Sequence, residues 1–293
     1  MTDNEFMNTF KAKVLEVFKY SISFFEKHNL RWFIACGSAI GAVRHKGFIP
    51  WDDDIDVYMP RDDYNKLIAL RDEMIKDGYR FIYFEDEGYP LSFGKVMDNN
   101  TTLWSQRRFP VNFGIYVDIF PLELTDCGMM SFGVKWTSYR VLMFQYRAKL
   151  SKITIGGLIE DIKKGKSENF RALAAKIPLA FVKKSTLKNK MRTLERSWNK
   201  PTGDRYVSYS EAGMYMFPKE WFEEYVMVPF ENIEVRLPKY YHEYLTYMYG
   251  DYMTPPPVEK RKPEGAHGKY YVNFERNVPL SLVKKASRKN VTH

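Results

Sequence analysis

Apolar residues recur three or four positions apart at Phe10, Val14, Val17, Phe18, Ile22 and Phe25, which predicts an amphipathic helix from Phe6 to Phe25. Asn4 or Thr2 is placed to cap it. The period then shortens. Arg31 to Cys36 reads as a short strand, Gly37-Ser38 as the turn out of it, and Ser38 as the cap of a short helix through Ala39, Ile40, Ala42 and Val43. From Asp54 to Met59 polar and apolar residues alternate, which predicts a strand with Asp54 and Asp56 on one face. Helical spacing returns from Arg61 to Met74, with Tyr64, Leu67, Ile68 and Leu70 inward. Four β-like runs follow, at Tyr79–Phe84, Leu91–Val96, Thr101–Ser105 and Ile115–Phe120. Met129 to Trp198 is mostly helical and basic, and the chain from Tyr206 onward is aromatic and mixed.

Strands interleaved with helices predict an α/β or α+β fold, with a mixed sheet core flanked by helices and an added helical region. Residues 1–127 read as the core, 128–200 as the basic helical region, 201–283 as its C-terminal completion and 284–293 as a basic tail. The chain shows no internal repeat.

Composition narrows the setting. At 293 residues and 45% hydrophobic, the chain can bury a sizeable core. Cys36 and Cys127 are far apart, without C-x-x-C or zinc-finger spacing, so neither a disulfide framework nor a zinc site is expected. A reducing cytoplasm is the expected setting. The N-terminus is acidic and polar, unlike a signal peptide, and no run of about 20 apolar residues predicts a membrane span. A formal charge of +9 with 16% aromatic residues points to an anionic partner.

The candidate chemistry is concentrated in Asp52, Asp53, Asp54 and Asp56, which follow a glycine-serine turn and Arg44-His45-Lys46. Like charges about 4 Å apart repel by roughly 4 kcal/mol at an effective dielectric of about 20, so an ordered cluster calls for a cation. An all-carboxylate set suits a hard ion, magnesium or manganese. Period-two alternation puts Asp52, Asp54 and Asp56 in phase; Asp53 is out of phase and reads as a cap or solvent residue. Asp118, between Val117 and Ile119 on a later strand, supplies a further carboxylate if the two strands are neighbours. The plainer reading is a solvated loop or calcium turn, but the EF-hand glycine and closing glutamate are missing. Gly37 and Ser38, at a helix start, suit a phosphate, and Arg44, Lys46 and Lys95 are candidate phosphate contacts, each equally readable as a surface cation. His45 is a weaker candidate than its neighbours.

The string from Gly37 to Val57 resembles the first motif of the LicD family of the nucleotidyltransferase superfamily, whose relatives include fukutin and fukutin-related protein. Gly114 to Leu122 resembles the second motif, and Tyr249-Gly250-Asp251-Tyr252-Met253 with Pro255-Pro256 the third. The likeness spans most of 30–125 and 230–270; 129–200 carries no matching motif. The glycine-rich start of the first motif differs from the family's frequent Gly-Thr-Leu-Leu-Gly by reading Gly37-Ser38-Ala39-Ile40-Gly41, which keeps the hydroxyl. The resemblance implies a nucleotidyltransferase-like fold and metal-dependent transfer of a phospho-alcohol, often phosphocholine, from a CDP-linked donor to a glycan hydroxyl, with release of CMP. Teichoic acid, lipopolysaccharide and capsule precursors are the implied acceptors. It implies metal on Asp52, Asp54, Asp56 and Asp118, with Asp54, Asp56 and Asp118 catalytic and Asp118 taking the hydroxyl proton.

A choline head group needs aromatic faces. Trp51, Tyr249 and Tyr252 lie near motifs, with packing roles equally open, and His267 lies in a loop that a ligand can reach. CDP-ribitol or CDP-glycerol serves the same metal site as an alternative donor. A nucleotidyltransferase releasing pyrophosphate is a second alternative and a non-catalytic glycan-binding protein a third; no RNA-binding motif is present, so nucleic acid is not an expected partner. The basic helices read either as a solvated face or as peripheral docking on anionic lipid at the inner membrane face, where a lipid-linked acceptor would lie.

Overall fold

The computed structural model describes residues 2–104, 109, 111–153, 155–163, 165–261 and 271–283. His267 and the basic tail 284–293 lie outside them.

Helix α1 (Asp3–Lys27) starts at Thr2, whose hydroxyl accepts from the Glu5 amide while the Glu5 carboxylate accepts from the Thr2 amide. This reciprocal cap settles the choice between Thr2 and Asn4. Its buried face carries Phe10, Val14, Val17, Phe18, Phe24 and Phe25. β1 (Phe33–Ile34) is short, and α2 (Cys36–His45) begins at once. Ser38 therefore lies in the first turn of α2 and does not cap it. β2 (Asp56–Pro60) passes directly into α3 (Arg61–Lys76), and β3 (Tyr79–Ile82), β4 (Gly94–Asp98), β5 (Thr102–Trp104) and β6 (Tyr116–Thr125) follow.

The central sheet has the order β1-β2-β6-β4-β3. β2 and β6 run parallel, while the β1–β2, β4–β6 and β3–β4 pairs are antiparallel. The fold is thus α+β with a mixed sheet flanked by helices. β6 is long enough to serve twice: its far end, Glu123–Thr125, pairs with β7 (Arg205–Val207), which pairs with β8 (Met216–Pro218).

Between β6 and β7 lie α4 (Met129–Leu150), α5 (Ile155–Lys163), α6 (Glu168–Lys176) and α7 (Lys184–Trp198). They have an aromatic core of their own, in which Phe132, Tyr139 and Tyr146 of α4 meet Leu187, Met191 and Trp198 of α7. Trp198 stacks on Tyr209 at 5.1 Å between ring centroids, so this core is fastened to the segment after β7. Of the basic cluster on α7, Arg192 pairs with Glu85, and Lys188 lies 5.0 Å from the Phe84 ring and near the same glutamate. Lys188 is thereby drawn into internal packing and Arg192 is held in a partly exposed ion pair, while Lys183, Lys184 and Lys190 remain exposed. Past the β9 (Tyr225–Phe230) and β10 (Ile233–Pro238) hairpin, α8 (Tyr241–Tyr249) returns to pack on α2, and β11 (Tyr271–Asn273) pairs with β5.

Candidate active site

The register of three strands builds the site. Asp56 on β2 stands opposite Asp118 on β6, and Asp118 stands opposite Lys95 on β4. Directly opposed residues share a sheet face, so the three form one row across the sheet. Lys95 is buried and ion-paired with Asp118, and its ammonium lies 3.3 Å from the centre of the Tyr116 ring. The surface-lysine reading of Lys95 is thereby replaced by a buried role. Burial pushes the Lys95 ammonium pKa down, and the charges of Asp118, Asp54 and Asp56 push it up.

β2 starts at Asp56, so Asp52 and Asp54 occupy the extended segment before it. The alternation nonetheless begins there: Asp52, Asp54 and Asp56 are half-buried, while Asp53, Ile55 and Val57 point inward. Asp53 is buried and is no solvent residue; the same period that aims its neighbours at the site turns it into the protein. Burial, followed by the Asp54 charge, raises the Asp52 pKa to about 8. Asp56 is raised well above the usual carboxylate range by burial, then by Asp54, Asp118, Glu211 and Asp52.

Ser38 ties α2 to this segment. Its hydroxyl accepts from the Asp56 amide at 3.0 Å and donates to the Asp54 carbonyl at 3.4 Å. The hydroxyl is therefore engaged in holding the aspartate segment, and any anion at this end would meet the amides at the start of α2. Gly37 is packed for the same purpose: a Cβ there would stand 2.9 Å from Asp52 Oδ2. Gly41 faces the Gly47 carbonyl so closely that a Cβ would lie 2.5 Å from it.

One contributor was not marked by the sequence. Glu211, between β7 and β8, accepts from the Tyr58 hydroxyl at 2.7 Å and from Cys36 Sγ at 3.3 Å. Burial raises its pKa, and its charge acts on Asp56. It stands in the irregular Ser210-Glu211-Ala212-Gly213 turn, with no periodicity to flag it. Cys36 adopts a left-handed backbone (φ 51°), uncommon for a residue with a side chain, and its amide donates to the Tyr244 hydroxyl at 2.9 Å. α8 thereby anchors the β1–α2 turn. Tyr249 ends α8, and burial, followed by its neighbours Cys36, Glu211 and Asp56, pushes its hydroxyl pKa up.

The other candidates gather at the opposite end of α2. Arg44 lies seven residues beyond Gly37, roughly 10 Å of helical rise. Its guanidinium donates to the Tyr252 carbonyl at 2.7 Å. Tyr252 is buried and its hydroxyl meets His242 Nδ1 at 3.0 Å. Lys46 is the left-handed C-cap of α2, and its carbonyl accepts from Glu231. The Arg261 guanidinium lies over Trp51 at 5.2 Å. The structure thus joins Gly37, Ser38, Lys95 and the aspartates, and holds Arg44, Lys46, Trp51 and Tyr252 in a separate group.

Residues 29–158 match the family model described as the LicD/FKTN/FKRP nucleotidyltransferase domain. The chain carries a LicD-family domain. The matched stretch contains every aspartate of the site and Lys95, and runs on through α4; Glu211, Tyr244 and Tyr249 lie beyond it. The lipopolysaccharide cholinephosphotransferase LicD of Haemophilus influenzae is 27% identical over 85% of this chain and 92% of its own length. An uncharacterized protein of Rickettsia prowazekii is 32% identical over 33% of this chain and 40% of its own.

A divalent cation is tested by the donors the LicD domain offers. They are all carboxylate oxygens, and the proton affinities of Asp52 and Asp56 are raised by burial and then by the neighbouring carboxylates, a cost that a hard cation offsets. Among the described residues no three His, Cys, Asp or Glu side chains form a ready-made ligand group, and Lys95 engages part of Asp118. The donor chemistry fits magnesium or manganese; the closed ligand set is not formed around a common point.

Proposed function

We propose that this LicD-family protein is a phosphotransferase that moves phosphocholine from CDP-choline to a sugar hydroxyl of a cell-surface glycan, foremost lipopolysaccharide. The observation that carries the reading is the Asp56–Asp118–Lys95 row, with Asp52 and Asp54 beside it. Similarity to the H. influenzae lipopolysaccharide cholinephosphotransferase supports it.

Phosphoryl transfer demands positioning and charge neutralisation more than covalent help from the protein. The sugar oxygen bonds to the phosphorus bearing choline, the bond from that phosphorus to the bridging oxygen breaks, and CMP departs with the electron pair. Asp118 accepts the hydroxyl proton, directly or through water. Lys95 orients Asp118 and carries positive charge toward the diphosphate. Asp52, Asp54, Asp56 and Asp118 would hold magnesium or manganese, which when bound supplies further neutralisation of the diphosphate. The amides at the start of α2 face the same anion.

Peripheral contact with anionic membrane extends this reading. Ile155, Ile159 and Ile162 are exposed at one-turn intervals on α5, and Phe170, Leu173 and Ile177 are exposed along α6 and just beyond it. Lys183, Lys184 and Lys190 follow them in the chain and are exposed. Amphipathic helices with basic borders suit a lipid interface. Among the described residues no helix is long and apolar enough to cross a membrane.

The test is a donor panel of CDP-choline, CDP-ethanolamine, CDP-ribitol, CDP-glycerol and simple NTPs, with separate detection of CMP and pyrophosphate. CMP from CDP-choline, dependent on magnesium or manganese and on an acceptor sugar, is expected. Pyrophosphate from an NTP would replace this reading with nucleotidyl transfer.

A further inference from the structure

The carboxylate row has unlike ends. The sheet order β1-β2-β6-β4 puts Lys95 beyond Asp118 at one end and Cys36, just past β1, at the other. Glu211 stands at the Cys36 end. Its Oε1 accepts from the Tyr58 hydroxyl of β2 at 2.7 Å and from Cys36 Sγ at 3.3 Å. Tyr58 follows Asp56 by two positions and so shares its face of the sheet. Among the described residues no hydrogen bond or ion pair reaches Glu211 Oε2. The Arg140 guanidinium donates to the Glu211 backbone carbonyl at 3.2 Å, not to its carboxylate. Burial raises the Glu211 pKa, and the Tyr58 and Cys36 donors act the other way by favouring the ionised form.

Tyrosines border this carboxylate. The Tyr244 hydroxyl accepts from the Cys36 amide at 2.9 Å, which brings α8 to this end of the row. Tyr249, the last residue of α8, is exposed, as is Tyr247. Tyr215, on the same irregular segment as Glu211, is half-buried, and its ring meets that of Tyr247 edge-on at 6.0 Å. Burial and then the neighbouring Glu211 raise the Tyr215 hydroxyl pKa, and Tyr249 counts Glu211, Asp56 and Tyr215 among its own neighbours. A fixed carboxylate, held through one oxygen, thus lies beside tyrosine rings that reach solvent.

We infer that Glu211, Tyr215 and Tyr249 form a subsite for the quaternary ammonium of the donor's head group, and that Glu211 selects a cationic alcohol over a neutral one. A trimethylammonium group spreads its charge over methyl groups and donates no hydrogen bond, so aromatic faces and a nearby anion hold it. A hard metal ion calls for a shell of oxygen ligands, which an aromatic border does not supply. The polarity of the row suits a phosphocholine unit, with phosphate toward Lys95 and ammonium toward Glu211. The inference rests on the phosphotransferase reading for the word donor; the preference for a quaternary ammonium stands on these residues alone.

The full-length protein with magnesium is titrated by calorimetry with phosphocholine and with neohexyl phosphate, its isostere in which carbon replaces the charged nitrogen. The parent is expected to bind phosphocholine at least about tenfold more tightly than the isostere. Glu211→Gln keeps the side-chain shape and an oxygen that accepts from Tyr58 and Cys36. It should hold the unfolding temperature and bring the affinities for both ligands within about twofold of each other. Tyr249→Ala removes an exposed ring and should weaken phosphocholine by about fivefold, while Tyr249→Phe keeps the ring and the affinity. Equal affinities in the parent overturn the inference. So does a preference that survives Glu211→Gln, since the carboxylate is then only a clasp on Tyr58 and Cys36. If Glu211→Gln fails to fold, the parent's own preference and the Tyr249 pair decide the matter. A phosphocholine preference lost in Glu211→Gln, without CMP from any donor, would uphold the subsite and reject the phosphotransferase reading. CMP from CDP-choline without that preference would do the reverse.

Discussion

Four carboxylates act on Asp56, those of Asp54, Asp118, Glu211 and Asp52, and all raise its proton affinity. Asp56→Asn should therefore lower CMP release by about 10²–10³-fold, the scale of losing one preorganised electrostatic group. In chelator the same variant should unfold no earlier than the parent, because repulsion falls. Near-parental turnover with saturating magnesium would remove the carboxylate mechanism. Asp52 gives a pH signature in metal-free protein. Its folded-state pKa is raised to about 8, against an ordinary value near 3.8. Between those values the folded chain holds a proton that the unfolded chain releases, so stability is full below about pH 4 and declines as pH rises to about 8. Asp52→Asn should flatten that decline, seen as a higher unfolding temperature at pH 8 than the parent and no gain at pH 4; each kcal/mol relieved is worth about 2–4 °C. An identical slope would mean that Asp52 does not bear this load. At this scale the sequence was legible where period mattered. Alternation put Asp52, Asp54 and Asp56 in phase, and the same alternation should have turned Asp53 inward instead of to solvent. Glu211 was not legible, because a residue in an irregular turn is brought to Asp56 only by the path of β7 and β8.

Elements place these residues through close approaches that need glycine. In Gly41→Ala the new Cβ would meet a backbone carbonyl at 2.5 Å, so α2 must move off the 47–49 turn. A cost of about 1–3 kcal/mol is expected in urea unfolding. In Gly37→Ala the Cβ meets only the tip of the Asp52 carboxylate, so stability should stay near parental while CMP release falls. The opposite order of stabilities would contradict the packing described for α2. The run of apolar residues around Phe10 and Phe18 made α1 readable, as helical period did for α3. The strands up to Phe120 were readable as existing but not in their ends: the β-like run from Leu91 is a strand only from Gly94, and that from Asp54 only from Asp56, while β7 to β11 were not read at all. Strand ends follow from the neighbour that supplies hydrogen bonds, and neighbours are not written locally. That Asp118 sits beside Asp56, with Lys95 beyond it, is settled by the β2–β6–β4 order.

At the scale of the whole molecule, α5 and α6 pack on each other and leave Ile155, Ile159, Ile162, Phe170 and Leu173 exposed. If the surface meets lipid, the protein should co-sediment with anionic vesicles and release as salt rises. Ile159→Asp with Phe170→Ser should abolish that binding, and Lys183, Lys184 and Lys190 changed to Glu should weaken it, each lysine contributing about 1 kcal/mol. Vesicle binding untouched by both sets would contradict the interfacial role. The basic character of this region was plain in composition, but which cations are engaged was not, since Lys188 is drawn inward by Glu85 and Phe84 and Arg192 pairs with Glu85. The most direct test of the account is the mass spectrum of a lipopolysaccharide acceptor incubated with CDP-choline, magnesium and the protein. A phosphocholine adduct formed in step with CMP, and absent with Asp56→Asn, is the predicted result; a nucleotidyl adduct, or an adduct that persists with Asp56→Asn, would contradict it.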